Sequence, residues 1–321
     1  MKLSVCITTV RPDTLPMAIQ SIQRQTRADW ELVVVGQGPD PKLRAVGEAA
    51  AGHDPRIRYL HLEQRGQTRA RNAGVRAATG DVIAMTDDDC EADPNWLAEL
   101  TRFFDEEPLT GLVGGAILAP PARRWPSVCP QWVPSETVYD PVASQGQAPA
   151  GWGWYGANFA VRRSVVQRVG PFDEFLGAGG TFAGAEDVDY KHRLEAGGVR
   201  MRATPRAVVR HTYGRREGWR AVLRYWCNNA CGDGAHGAKL TMLGDPRGGF
   251  WLWHVSRRWA QSGGLLRRVA GLPIDGFRWW YFRRGYQACL RNYRVDPTRG
   301  VLELTPTTPT IPQRGRDKAP A

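Results

Sequence analysis

Long apolar runs are missing from this chain of 321 residues. No stretch reaches the roughly 18 consecutive apolar residues that a membrane-spanning helix needs. The N-terminus lacks a leader pattern too, because Leu3 to Val10 is short and runs directly into Arg11-Pro12. The expectation is therefore a chain made in, and retained by, the cytoplasm. Paired cysteine spacing is also missing. Cys6, Cys90, Cys129, Cys227, Cys231 and Cys289 contain no C-x-x-C, so no disulfide framework is expected, and Cys227 and Cys231 read as buried small apolar residues.

Acidic residues are scarce in one region only. Residues 1–214 hold 24 Lys/Arg against 25 Asp/Glu, whereas residues 215–294 hold 15 Lys/Arg against Glu217, Asp233, Asp245 and Asp275. The formal charge of +11 is thus concentrated in one segment. That segment also carries Trp219, Trp226, Trp251, Trp253, Trp259, Trp279 and Trp280, seven of the 13 tryptophans. The expected organisation is a near-neutral domain over 1–214, a basic, Trp-rich helical appendage over 215–295, and a Pro- and Thr-rich disordered tail over 296–321.

Pattern is dense in the first part. Leu3 to Thr9 suits a buried strand; a helix follows with Leu15, Ile19 and Ile22 on one face and Asp13 or Thr14 as cap. Trp30 to Val35 and Ile57 to Leu62 read as further strands, Thr68 to Ala78 as a helix closed by Gly80, and Asp81 to Thr86 as a fourth strand. Strands alternating with helices imply a doubly wound, largely parallel sheet. Beyond it come a helix from Trp96 to Phe104 and a strand from Leu112 to Leu118, then a long irregular stretch, 120–153. Pattern returns at Asn158 to Val161, at a helix beginning near Glu186, and at a strand from Ala207 to His211.

Three carboxylates in a row, Asp87, Asp88 and Asp89, stand at the end of the fourth strand. An EF-hand starting at Asp87 would need Gly at its sixth position and Glu at its twelfth, and the chain has Ala92 and Ala98. Ligands of doubly wound sheets bind beyond the carboxyl ends of the strands. If the chain stays extended there, Asp87 and Asp89 point the same way and Asp88 elsewhere. A pair aimed into one cleft suits a hard divalent cation, Mg²⁺ or Mn²⁺, that shares its coordination with substrate phosphates.

The run TDDDC, preceded by ARNAGVRAATGDVIAM and followed by GANFAVRR, VGPFDE, AEDVDYKHRLEAGG and VVRH, resembles the family 2 nucleotide-sugar glycosyltransferases of GT-A fold over about residues 3–214. The resemblance implies an α/β GT-A fold with a mixed sheet, and an inverting, metal-dependent transfer from a nucleotide-sugar donor to a saccharide or lipid-linked acceptor. It implies Asp89 and His211 as metal ligands, with Asp87 reaching the metal or the ribose. It places Thr9, Arg11, Arg71 and Asp88 at the nucleotide sugar. It gives the general base to Asp187 of the Glu186-Asp187 pair, since attack by an acceptor hydroxyl requires removal of its proton. The Gly-rich run before that pair, GAGGTFAGA, reads as a loop that closes over bound donor. One departure is plain: the acidic residue usual after the second strand is replaced by Gly36-Gln37-Gly38, leaving Gln37 as the substitute contact. On the acceptor side Trp154, Tyr155 and Asn158 are the candidates, within an aromatic cluster that includes Trp125, Trp132 and Trp152.

Two other classes compete. A nucleotidyltransferase would need a phosphate-binding loop rich in Gly and Lys/Arg after the first strand, and Thr8-Thr9-Val10-Arg11-Pro12 does not supply one. A polysaccharide- or nucleic-acid-binding protein would account for the basic appendage but not for the acidic motifs, and no nucleic-acid partner is expected. The mixture of tryptophans and arginines in 215–295 leads to the expectation of a peripheral protein on an anionic membrane surface.

Overall fold

The computed structural model describes residues 1–249 and 265–305. Its first half is the alternation the sequence implies: β1 (Leu3–Thr9), α1 (Leu15–Gln23), β2 (Trp30–Gln37), α2 (Pro41–His53), β3 (Ile57–Leu62), α3 (Gln67–Ala77) and β4 (Val82–Asp87). Next come β5 (Glu91–Ala92), α4 (Trp96–Glu106), β6 (Leu112–Leu118), β7 (Ser127–Val128), β8 (Thr137–Tyr139), β9 (Asn158–Arg162), α5 (Arg163–Val169), α6 (Glu186–Ala196), β10 (Met201–Arg210) and β11 (Arg216–Glu217). The C-terminal part holds α7 (Trp219–Met242), α8 (Leu265–Asn292), β12 (Tyr293–Asp296) and β13 (Val301–Leu304).

The strands line up as β3-β2-β1-β4-β9-β6-β10-β5, with β8 on β10. β1 to β4 are parallel, β9 runs antiparallel between β4 and β6, and β10 is parallel to β6. This is the mixed α/β sheet that was expected. β1, β2 and β4 are covered on both faces, because one core cluster packs α1 and α4 on one side and a second packs α3, α5 and α6 on the other.

Several elements differ from expectation. Helix α2 was not read from the sequence, although Asp40 caps it by accepting from the Lys42 amide at 2.9 Å and Pro41 opens it; its weak amphipathicity hides it. The tail expected to lack structure from residue 296 begins instead with a hairpin, since Tyr293 to Asp296 pairs with Val301 to Leu304. Trp251, Trp253 and Trp259 of the appendage and the tail from 306 lie outside the described residues.

Helix α7 packs on both α8 and the sheet domain. Gly234 meets the Phe282 backbone and Gly285 meets the Cys231 backbone so closely that a Cβ at either would clash. Gly232 likewise sits on Ala183 and Gly184 of the Gly-rich loop, where an added Cβ would lie 2.7 Å from backbone atoms. The Lys239 ammonium is buried between Asp173, at 2.8 Å, and Asp189 of α6. Asp173 also accepts the amide of Leu302 in β13 at 2.7 Å. Helix α7 and the hairpin are thus pinned to the same carboxylate below α6.

Candidate functional site

β4 ends at Asp87, and the chain turns at once, so the three aspartates do not continue as an extended strand. The extended chain on which the alignment of Asp87 with Asp89 was expected is therefore not what forms there. Asp87 stays partly exposed and faces α3, accepting from Arg71 at 3.2 Å and from Gln67 at 3.3 Å. Asp88 and Asp89 are buried. Asp88 accepts from Thr9 Oγ1 at 2.6 Å and pairs with Arg11, whose guanidinium also reaches Asp89 at 3.0 Å.

Asp89 Oδ1 lies 3.1 Å from His211 Nε2, with the Cys90 thiol beside them. His211 follows β10, so β4 and β10 deliver the pair from separate strands. Burial opposes the imidazolium, but hydrogen bonds to Asp89 and Cys129 together with the charges of Asp89 and Asp87 outweigh it and raise His211 to about 10. Burial pushes the Cys90 thiol well up, so it stays protonated. With its extra proton displaced by a cation, His211 would join the Asp89 carboxylate in a donor set without a thiolate, which fits Mn²⁺ or Mg²⁺ better than a soft metal. Among the described residues Asp87 is not part of this cluster.

Arg71 is buried and joins the aspartates to α6. Besides Asp87 it meets Glu186 at 3.4 Å and donates to the Gly156 carbonyl at 3.0 Å. The expectation that it contacts nucleotide meets a guanidinium committed to protein acceptors. Burial, with the neighbouring Asp187 charge, raises Glu186 to about 7 against the opposing pull of Arg71. Asp187 is held differently: its carboxylate accepts from the amides of Gly156 at 3.1 Å and Val188 at 2.9 Å. Gly156 therefore orients both Arg71, through its carbonyl, and Asp187, through its amide.

Gln37 is buried, and its Oε1 accepts from the Gly66 amide at 2.7 Å. It ties the end of β2 to the start of α3. Asn158, expected at the acceptor, is instead a core residue with no exposed surface. Its Oδ1 accepts from Trp96 Nε1, and its Nδ2 donates to the carbonyls of Ala116 and Ala207 at 2.7 and 2.8 Å. These bonds bridge the strands where the β6–β10 register shifts; both amide hydrogens are committed and burial keeps the side chain out of a ligand's reach.

Trp154 and Tyr155 line a cavity of about 360 Å³ with Trp132, Trp152 and Asp187. Its far wall comes from Asp233, Leu240 and Phe282 in the C-terminal helices. Those three carried no motif, and nothing in their local sequence marked them as cavity-lining. Trp125, by contrast, is exposed and packs edge-on against Trp219 at 5.2 Å.

The fold and this acidic, aromatic-walled cleft define a chain of the GT-A type. A family profile, Glycosyl transferase family 2, matches residues 4–170, and the chain belongs to that family. Among curated proteins it is 29% identical over 191 residues to a glucosyl-dolichyl phosphate glucuronosyltransferase of Haloferax volcanii, covering 56% of this chain and 58% of that one. It is 26% identical over 216 residues to the succinoglycan biosynthesis protein ExoM of Rhizobium meliloti, covering 65% and 66%. The chain thus spans less than two thirds of the length of either relative. A mannosyltransferase from Pyrobaculum calidifontis, solved with GDP-Man and Mn²⁺, shares the fold with a TM-score of 0.56 at 18% identity, over 90% of this chain and 86% of that one. TarS of S. aureus does so with a TM-score of 0.54 at 14% identity, over 92% of this chain and 56% of that one.

Proposed function

We propose that this protein transfers a glycosyl unit from a nucleoside-diphosphate sugar to a hydroxyl of a saccharide or lipid-linked acceptor, with inversion at the anomeric carbon. The observation that carries the reading is the buried Asp89–His211 pair, delivered by two strands at 3.1 Å, in a fold whose α6 presents Asp187 to a separate aromatic cavity. Asp89 and His211 are the residues that would hold a divalent cation. The cation supplies Lewis-acid neutralisation of the leaving diphosphate.

The chain's own residues do the rest. Arg11 and Thr9 hold Asp88 and keep the turn after β4 fixed. Arg71 spans Asp87 and Glu186 and fixes the floor between donor and acceptor sides. Asp187, aimed by the amides of Gly156 and Val188, takes the proton from the attacking hydroxyl. The names of the relatives support a saccharide or a lipid-linked sugar as acceptor, and the exposed rings of Trp279 and Trp280 beside Arg283 and Arg284 support work at an anionic membrane face. Among the described residues no helix is long and apolar enough to cross a membrane.

The test is release of nucleoside diphosphate from a panel of nucleotide sugars with Mn²⁺, with Mg²⁺ and with EDTA. Release from at least one donor with metal, none with EDTA, and none from Asp89→Ala at unchanged circular dichroism is the expected result. Full activity in EDTA would refute the metal-assisted reading.

A further inference from the structure

Helix α7 carries a carboxylate between two glycines, Gly232-Asp233-Gly234. Both glycines are in backbone-to-backbone contact. A Cβ on Gly232 would lie 2.7 Å from Ala183 and Gly184, just before the Glu186-Asp187 pair, and a Cβ on Gly234 would collide with the Phe282 carbonyl of α8. Gly184 itself has φ +103°, so the approach of the loop to α7 uses glycine on both sides. Asp233 is therefore held in place between the loop that opens α6 and helix α8.

This docking sets a second acid across from the first. Asp187 and Asp233 line the same cavity, one from α6 and the other from α7. Asp187 is aimed by the amides of Gly156 and Val188, whereas Asp233 feels the charge of Arg278 in α8. The other ionisable groups on the lining are Lys191 and His192 of α6, His236 of α7, Tyr155 and Arg247. Burial keeps His192 neutral, lowering it to about 3. Burial raises Asp233 to about 7 against the pull of Arg278, and the Asp187 charge adds to the rise. Two carboxyls in one such space do not ionise independently; they titrate as a pair.

Transfer gives such a pair a use. The attacking O–H bond breaks, its electron pair forms the new bond to the anomeric carbon, the diphosphate leaves with the electrons of the old bond, and the proton stays on Asp187. Asp187 is then a neutral acid that must be emptied before the next turnover. An ionised carboxyl across the cavity, with a proton affinity matched to neutral pH, is suited to emptying it. At about 360 Å³ the cavity has room for the waters that would connect the two once product has left.

We propose that Asp233 receives this proton from Asp187 through cavity water and passes it to solvent, so that α7 supplies the group that resets the base. The proposal rests on the transfer reaction above. Asp233 acts through Asp187 and touches no substrate.

Difference infrared titration of the protonated-carboxyl band on the full-length protein reads the pair without donor or acceptor. Subtracting Asp233→Asn from wild type, between about pH 5 and about pH 9, should isolate one carboxyl with a midpoint at about 7; Glu186, which titrates in the same range, cancels. In an Asp187→Asn background the same subtraction should give a midpoint lower by about half a pH unit or more, because the facing charge is gone. With any donor and acceptor that turn over, Asp233→Asn should lower kcat about tenfold on the alkaline side of the limb near neutral pH, with acceptor KM unchanged, and should remove that limb. Asp233→Glu should keep it. A midpoint unmoved by Asp187→Asn, or an Asp233→Asn enzyme with the wild-type pH profile, overturns the proposal. Coupled carboxyls in a protein that transfers from no donor overturn the transfer reaction and leave the pair standing, and transfer without coupling overturns only this proposal.

Discussion

Asp187 and Glu186 are adjacent in sequence and differ in what holds them. Glu186 is buried against Arg71, while Asp187 leans on two backbone amides and borders the cavity. Asp187→Asn keeps the size and loses the base, so turnover should fall by roughly a hundredfold to ten-thousandfold with donor affinity nearly unchanged, as read from kcat and donor KM. A rise in donor KM at constant kcat would move Asp187 to the donor side. At this scale the motifs located the acidic residues and His211, because chemistry demands those side-chain types at strand and helix ends. What they could not give was partnership. That Asp87 turns to Arg71, that Gln37 is spent on Gly66, and that Asn158 bridges three strands depend on segments distant in sequence, and no local pattern encodes them.

Among the elements, the strands were legible because apolar β-branched runs bounded by Gly and Pro have few other uses. Strand β10 was read only from Ala207, since Pro205 interrupts its first half, Met201 to Arg206, and a proline within a run argues against a strand. Helix α7 was legible as a helix but not as a partner of α6. Its anchor, Lys239, is buried between Asp173 and Asp189. Lys239→Met should destabilise the protein by about 3–5 kcal/mol, because two buried carboxylates lose their cation. Adding Asp173→Asn should recover part of the loss, and a double-mutant cycle in urea checks this. Burial would raise the Asp189 carboxyl, yet Lys239 and Arg193 overcome it and hold it well below the usual range. Its contribution to stability is therefore full above the ordinary carboxylate pKa near ~4 and is lost as pH falls toward the depressed value. Wild type should accordingly lose more stability than Asp189→Asn on acidification below about pH 4, measured by urea midpoints across pH.

For the whole molecule, the charge arithmetic was legible and the packing was not. The arginines of 215–294 suggested a separate basic unit, whereas α7 lies on the Gly-rich loop, and its glycines serve close approach as well as any closing motion. The outer side still presents Trp219, Trp279 and Trp280, each 41–50% exposed. Liposomes containing anionic lipid should therefore sediment the protein at low salt, with binding weakened at high salt; a protein that remains in the supernatant with every lipid would remove the membrane from the proposed function.

The Leu302 amide on Asp173 also sets an order of events during synthesis. The sheet and its acidic motifs are complete once residue 211 has left the ribosome, but the cavity still lacks a wall, and the clasp beneath α6 closes only when β13 emerges. At the usual pace of translation that interval is on the order of ten seconds. Throughout it, the sheet domain can fold while the cavity beside α6 stays open to water. A nascent chain in this state has Asp89 and His211 already brought together but lacks the C-terminal wall of the cavity, which is complete only with the last of the described strands.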